Sequence, residues 1–152
     1  MQEWFEVFKA GNHTDAHGQQ REWSEQDLDL IVSKYNEQTD HEAPLVVGHP
    51  KTNSPAYGWV EKLKREGKTL LAKAKQVDDG FKNLVDTGRF KKVSIALYPD
   101  ILLRHIGFLG AQPPAVKGLK APEFSDQEYT ELIYEFAQQE PPVDPIDSII
   151  KG

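Results

Sequence analysis

Two hydrophobic periods run through the chain, and each change from one to the other marks an element. Trp4-Phe5-Glu6-Val7-Phe8 reads as a short strand, and a polar loop with Gly11 and Gly18 at its ends follows. Ser24 then caps a helix whose apolar residues Leu28, Ile31, Val32 and Tyr35 fall at i, i+3, i+4 and i+7. After a second polar loop, Pro44-Leu45-Val46-Val47 is a short buried strand closed by Gly48, His49 and Pro50. The alternating runs 57–64 and 69–76 flank Arg65-Glu66-Gly67-Lys68 and predict a hairpin. Asp78-Asp79-Gly80 opens a short helix with Phe81, Leu84 and Val85 on one side, and Gly88 ends it. Two more strands, 90–98 and 102–108, flank Pro99-Asp100.

The last third changes character. Pro113, Pro114, Gly118 and Pro122 predict an extended exit segment. Ser125 and Glu128 form a capping-box pattern ahead of Tyr129, Leu132, Ile133 and Phe136 at helical spacing. Beyond Glu140, Pro-Pro-Val-Asp-Pro reads as a disordered tail. The pattern therefore predicts a unit of six strands and two helices over 1–119. A linker, a helical arm and a tail fill 120–152.

Composition narrows the chemistry. A chain of 152 residues suits one domain with a tail. Its 18 basic and 24 acidic residues give a net charge of -6, which argues against a non-specific nucleic-acid binder. Cysteine is absent, and with it disulfides, thiolate metal sites and cysteine nucleophiles. No run approaches the apolar length of a membrane span, and Met1-Gln2-Glu3-Trp4 does not start like a signal peptide. The expectation is a soluble, intracellular protein with no cofactor and no nucleic-acid or membrane partner.

Five histidines carry most of the candidate chemistry. His13 and His17 are four apart, but Gly11, Asp15 and Gly18 make that segment a loop, so solvated histidines compete with a metal pair. His41, between Asp40 and Glu42, reads as exposed. His49 is different, because a buried strand, Gly48 and Pro50 aim it; the plainer reading is a histidine hydrogen-bonded at a strand exit. Strand alternation places Ser94, Ala96 and Tyr98 on one face, away from Val93, Ile95 and Leu97. A tight turn at Pro99-Asp100 sets Ser94 opposite His105, whereas a three-residue loop with a bulge would shift that register. Ala96 and Gly107 leave space beside the pair. Serine needs a general base to attack at neutral pH, and a third group must hold that base, so His49, Ser94 and His105 could fill three roles.

In their order, these motifs resemble the phage Mu-type head maturation protease family, the Mu-like prophage protein I peptidases. The likeness spans about residues 4–119 and is carried by Phe8-Lys9-Ala10-Gly11-Asn12-His13-Thr14-Asp15, the helix after Ser24, and Ala43-Pro44-Leu45-Val46-Val47-Gly48-His49-Pro50. Ala56-Tyr57-Gly58-Trp59-Val60, Gly88-Arg89-Phe90-Lys91-Lys92-Val93-Ser94-Ile95 and Leu103-Arg104-His105-Ile106-Gly107-Phe108-Leu109-Gly110 continue it. More distantly the plan is similar to prohead proteases and herpesvirus assemblins. The resemblance implies an α+β fold, an assemblin-like and mostly antiparallel β barrel with flanking helices, ending in the helical arm. It also implies a serine endopeptidase with Ser94 as nucleophile, His49 as base and His105 as third member.

On this reading the substrates are phage scaffold and major capsid proteins, and the chain itself. They are cut in the host cytoplasm inside the assembling procapsid. The apolar stripe of the arm either docks on its own barrel or supports a homodimer or other self-association. No arginine pair follows His105 to match the assemblin oxyanion loop, and the long scaffold region of Mu-type proteins has no counterpart before Gly152. Two other readings compete: an inactive scaffold or capsid-assembly factor on the same fold, and a metal-dependent hydrolase using His13, His17 and His49.

Overall fold

Alternation in the strands and capping in the helices lead to one buried cluster. The computed structural model describes residues 1–15, 17–48, 50, 53–111 and the backbone of 130–134. Its strands are β1 (Trp4–Lys9), β2 (Gly11–Thr14), β3 (Gln20–Trp23), β4 (Pro44–Val47), β5 (Gly58–Glu66), β6 (Thr69–Lys75), β7 (Lys92–Leu97), β8 (Leu103–Leu109) and β9 (Thr130–Tyr134). Helix α1 (Glu25–Asn36) follows β3, and α2 (Asp79–Asp86) follows β6. The fold is mixed α+β and mostly strand. The large sheet runs β1-β6-β5-β4-β8-β7-β9, and β2 and β3 form a separate hairpin. Pairing in the large sheet is antiparallel except between β4 and β8.

Both helices start where local chemistry places them. The Ser24 hydroxyl accepts the Asp27 N–H while the Asp27 carboxylate accepts the Ser24 N–H, a complete capping box. The Asp78 carboxylate accepts the Phe81 N–H at the start of α2, and Gly88 at φ 78 leads the chain away. Tyr35 and Asn36 then bolt α1 to β5. The buried Tyr35 hydroxyl donates to Val60 O at 2.6 Å and accepts from Ala43 N–H at 2.9 Å. The Asn36 amide gives to and takes from the Leu63 backbone at 2.8 and 3.0 Å, standing in for a neighbouring strand.

The core is one cluster of buried side chains from both helices and the strands of the sheet. Phe81 of α2 meets Phe108 edge-on at 4.9 Å, and Phe5 meets Phe108 at 5.9 Å. Leu28, Ile31, Leu45, Leu63, Leu70, Ile95 and Ile106 complete the same cluster.

Three sequence expectations change here. The sheet is not a closed barrel. It bends at register shifts in β1 and β5, and β1 approaches β7 and β9, but no ladder joins these strands among the described residues. The loop expected around His13 is the β2–β3 hairpin, with Asp15 Oδ1 accepting the N–H groups of His17 and Gln19 in its turn. Where the helical arm was expected, Thr130–Tyr134 is a strand antiparallel to β7. A short apolar run satisfies both periods, and the open edge of β7 offers backbone partners that a helix would leave unmet. The exit prolines, the Ser125 capping box and the tail lie outside the described residues.

Candidate active site

The β7–β8 hairpin positions the serine, and its turn decides what the serine faces. Tyr98 N–H donates to Leu102 O at 2.9 Å and Ile101 N–H donates to Tyr98 O at 2.7 Å, closing a three-residue loop over Pro99, Asp100 and Ile101. Ile101 takes the left-handed position with φ 65, which is strained for a β-branched residue. A second offset follows at once: Leu97 pairs with Leu103 but Ala96 pairs with His105, so Arg104 is the extra residue of a bulge. The loop and the bulge each move the register by one residue. Ser94 therefore stands opposite Gly107, not opposite His105 as the tight-turn reading required.

Two single steps restore the original facing. Ser94, Ala96, His105 and Gly107 still share one side of the hairpin, with Val93, Ile95, Ile106 and Phe108 on the core side. Ser94 and His105 are diagonal neighbours, at a Cα spacing of about 7–8 Å that a histidine ring can bridge. Ser94 is 0% exposed and His105 6% exposed. Apart from Trp23 and Tyr35, they are the only buried residues of polar or ionisable type among the described residues. Both have interaction partners, as buried polar groups require.

β4 brings a third strand to the site. It runs parallel to β8, placing Val46 beside Gly107 and so in one row with Ser94. Gly48 N–H donates to Phe108 O at 2.9 Å, and its φ of 69 turns the chain out of the strand in a conformation that suits glycine. His49 comes next and lies outside the described residues. On the far side, β9 places Ile133 opposite Ser94.

His13, His17 and His41 are the other histidines described. His13 donates from Nε2 to Lys9 O at 2.7 Å, with its ring 4.5 Å from that of Phe8. His17 is exposed. His41, expected in solvent, is half-buried, donates from Nε2 to Arg104 O at 3.1 Å and meets Tyr98 edge-on at 5.6 Å. Sequence offered no signal for that tie, because its partner is a backbone carbonyl far along the chain. Asp100, the carboxylate of the β7–β8 turn, is exposed and lies 3.5 Å from Lys34 Nζ. No group of three potential metal ligands occurs among the described residues.

Two cavities open elsewhere. One of about 130 Å³ lies between the β2–β3 hairpin and the β7–β8 turn, beside Arg21, Trp23, Tyr98 and Ile101. A broader one of about 550 Å³ lies beyond the end of α1, beside Tyr35, His41 and Trp59. Ser94 and His105 line neither. Among the described residues, no helix is long and apolar enough to cross a membrane. Comparison with protein-family models, curated proteins and solved structures found no match to this chain.

Proposed function

We propose that the chain is a serine endopeptidase of phage head maturation, cutting scaffold and capsid proteins and itself within the assembling procapsid. Ser94 is the nucleophile, His49 the general base, and His105 the group that holds His49. One observation carries the chemistry: Ser94 and His105, the polar pair buried on this sheet among the described residues, share one side of adjacent strands with Ala96 and Gly107. In the reaction Ser94 Oγ attacks the peptide carbonyl carbon as its proton passes to His49. That proton then goes to the leaving amine, and water repeats the sequence to release the acyl group. His105, neutral, accepts the second ring N–H of His49 and steadies the cation formed. The capsid substrates rest on the motif resemblance alone.

A second reading has its own support. With Ser94 at 0% exposure, a chain that never opens would be an inactive assembly factor on the same fold. A fluorophosphonate probe decides between them. The proposal expects a mass adduct on Ser94 and proteolysis of a cognate scaffold that Ser94→Ala abolishes. An adduct elsewhere, or full proteolysis by Ser94→Ala, overturns it.

A further inference from the structure

An extended substrate that reaches Ser94 by strand pairing lies along β7, and both edges of that strand are taken. β8 holds one edge and β9 the other. The two neighbours are not equivalent. β8 is hydrogen-bonded on both sides, to β4 and β7, and puts Leu103, Ile106 and Phe108 into the core. Among the described residues β9 is the edge strand, paired to β7 alone through five residue pairs. Releasing β8 would dismantle the core, whereas releasing β9 breaks one ladder among the described residues. Local openings draw on such weakly tied elements.

We propose that β9 is an internal strap that occupies the peptide-binding edge of β7 and is displaced by the extended segment of a substrate. The proposal rests on the serine endopeptidase reading for its purpose, but the exchange of strands does not require it. Main-chain hydrogen bonds to an open edge grip an extended peptide whatever its side chains, which is how strand addition works. β9 shows that this edge accepts such a segment, with Thr130 to Tyr134 lying antiparallel to Leu97 to Val93. Its Ile133 stands opposite Ser94, where a substrate residue next to the cut bond would lie.

Hydrogen exchange on the unmodified full chain is the first test. Amides of 130–134 and their ladder partners in Val93 to Leu97 should exchange at least about tenfold faster than those of β5, β6 and β8. Exchange of all these strands together overturns the strap. The second test uses the full chain carrying both Leu132→Pro and Ile133→Pro, so that whichever of the two amides faces β7 is lost. β7 should lose protection while β5 and β6 keep theirs, and a synthetic peptide of residues 128–136 should restore it. Unchanged protection, loss in every strand, or no rescue by the peptide overturns the proposal. Fluorophosphonate labelling in the same samples separates the two ideas. Faster labelling of Ser94 in the double variant supports both, while peptide rescue without any labelling supports the strap and removes the serine reading.

Discussion

Ser94 lies directly across the β7–β8 ladder from Gly107. The residue facing the candidate nucleophile thus has no side chain, and His105 is the diagonal neighbour of Ser94. Gly107→Val should set a branched side chain directly opposite Ser94 and lower fluorophosphonate labelling of Ser94 by about a hundredfold, as small displacements of reacting groups do. Unchanged labelling would mean that substrate does not approach along this row.

Ser94→Ala should cost little stability, because the residue next to it on the same face is already Ala96 and the core side of β7 is untouched. The expected loss is about 1 kcal/mol for the hydroxyl's hydrogen bonding, with the adduct gone entirely. Denaturant unfolding and mass spectrometry read the two effects separately.

The two histidines should differ in weight. His49→Ala should reduce labelling about as far as loss of the nucleophile reduces turnover, while His105→Ala should lose about a hundredfold less, since the base survives without its support. Asp100→Asn should change nothing, because Asp100 is exposed and close to Lys34. A severe loss confined to the Asp100 variant would reassign the third member.

Tyr35→Phe tests the tie between α1 and the sheet. It removes the acceptor of Ala43 N–H and a donor to Val60 O, both at a buried hydroxyl. The expected destabilisation is about 1–3 kcal/mol, seen as a lower Tm.

The capping box gives stability a defined acid limb. The Asp27 carboxyl is held below its ordinary value of 3.8, chiefly by the Ser24 backbone N–H, with the Ser24 hydroxyl and Arg21 adding to it against a desolvation penalty. A depressed folded pKa means that the contribution is full above 3.8 and fades as the pH falls through the lower folded value. Asp27→Asn should therefore cost about 0.3–1 kcal/mol at neutral pH. The gap in Tm between variant and parent should close in strong acid. A gap independent of pH would place the effect in packing.

Helices and caps were legible along the chain because the forces that set them act within one turn. Ser24 and Asp27 meet three residues apart, Asp78 and Phe81 likewise, and Leu28, Ile31 and Tyr35 share a face by period alone. The facing of Ser94 and Ala96 away from Val93 and Ile95 was legible for the same reason, since alternation needs no knowledge of the partner strand.

Pairing was not legible, because strand partners are chosen by non-local contacts. Nothing local announces that β4 lies parallel beside β8, or that Thr130–Tyr134 closes the edge of β7 instead of coiling into a helix. The register of the site belongs to tertiary structure too. Ile101 accepts a strained left-handed turn and Arg104 bulges, two single offsets whose sum carries His105 from Ser94 to Ala96. Because the side-chain period is two, that sum preserves the shared face that alternation indicates, while the identity of the residue opposite Ser94 waits on the folded hairpin.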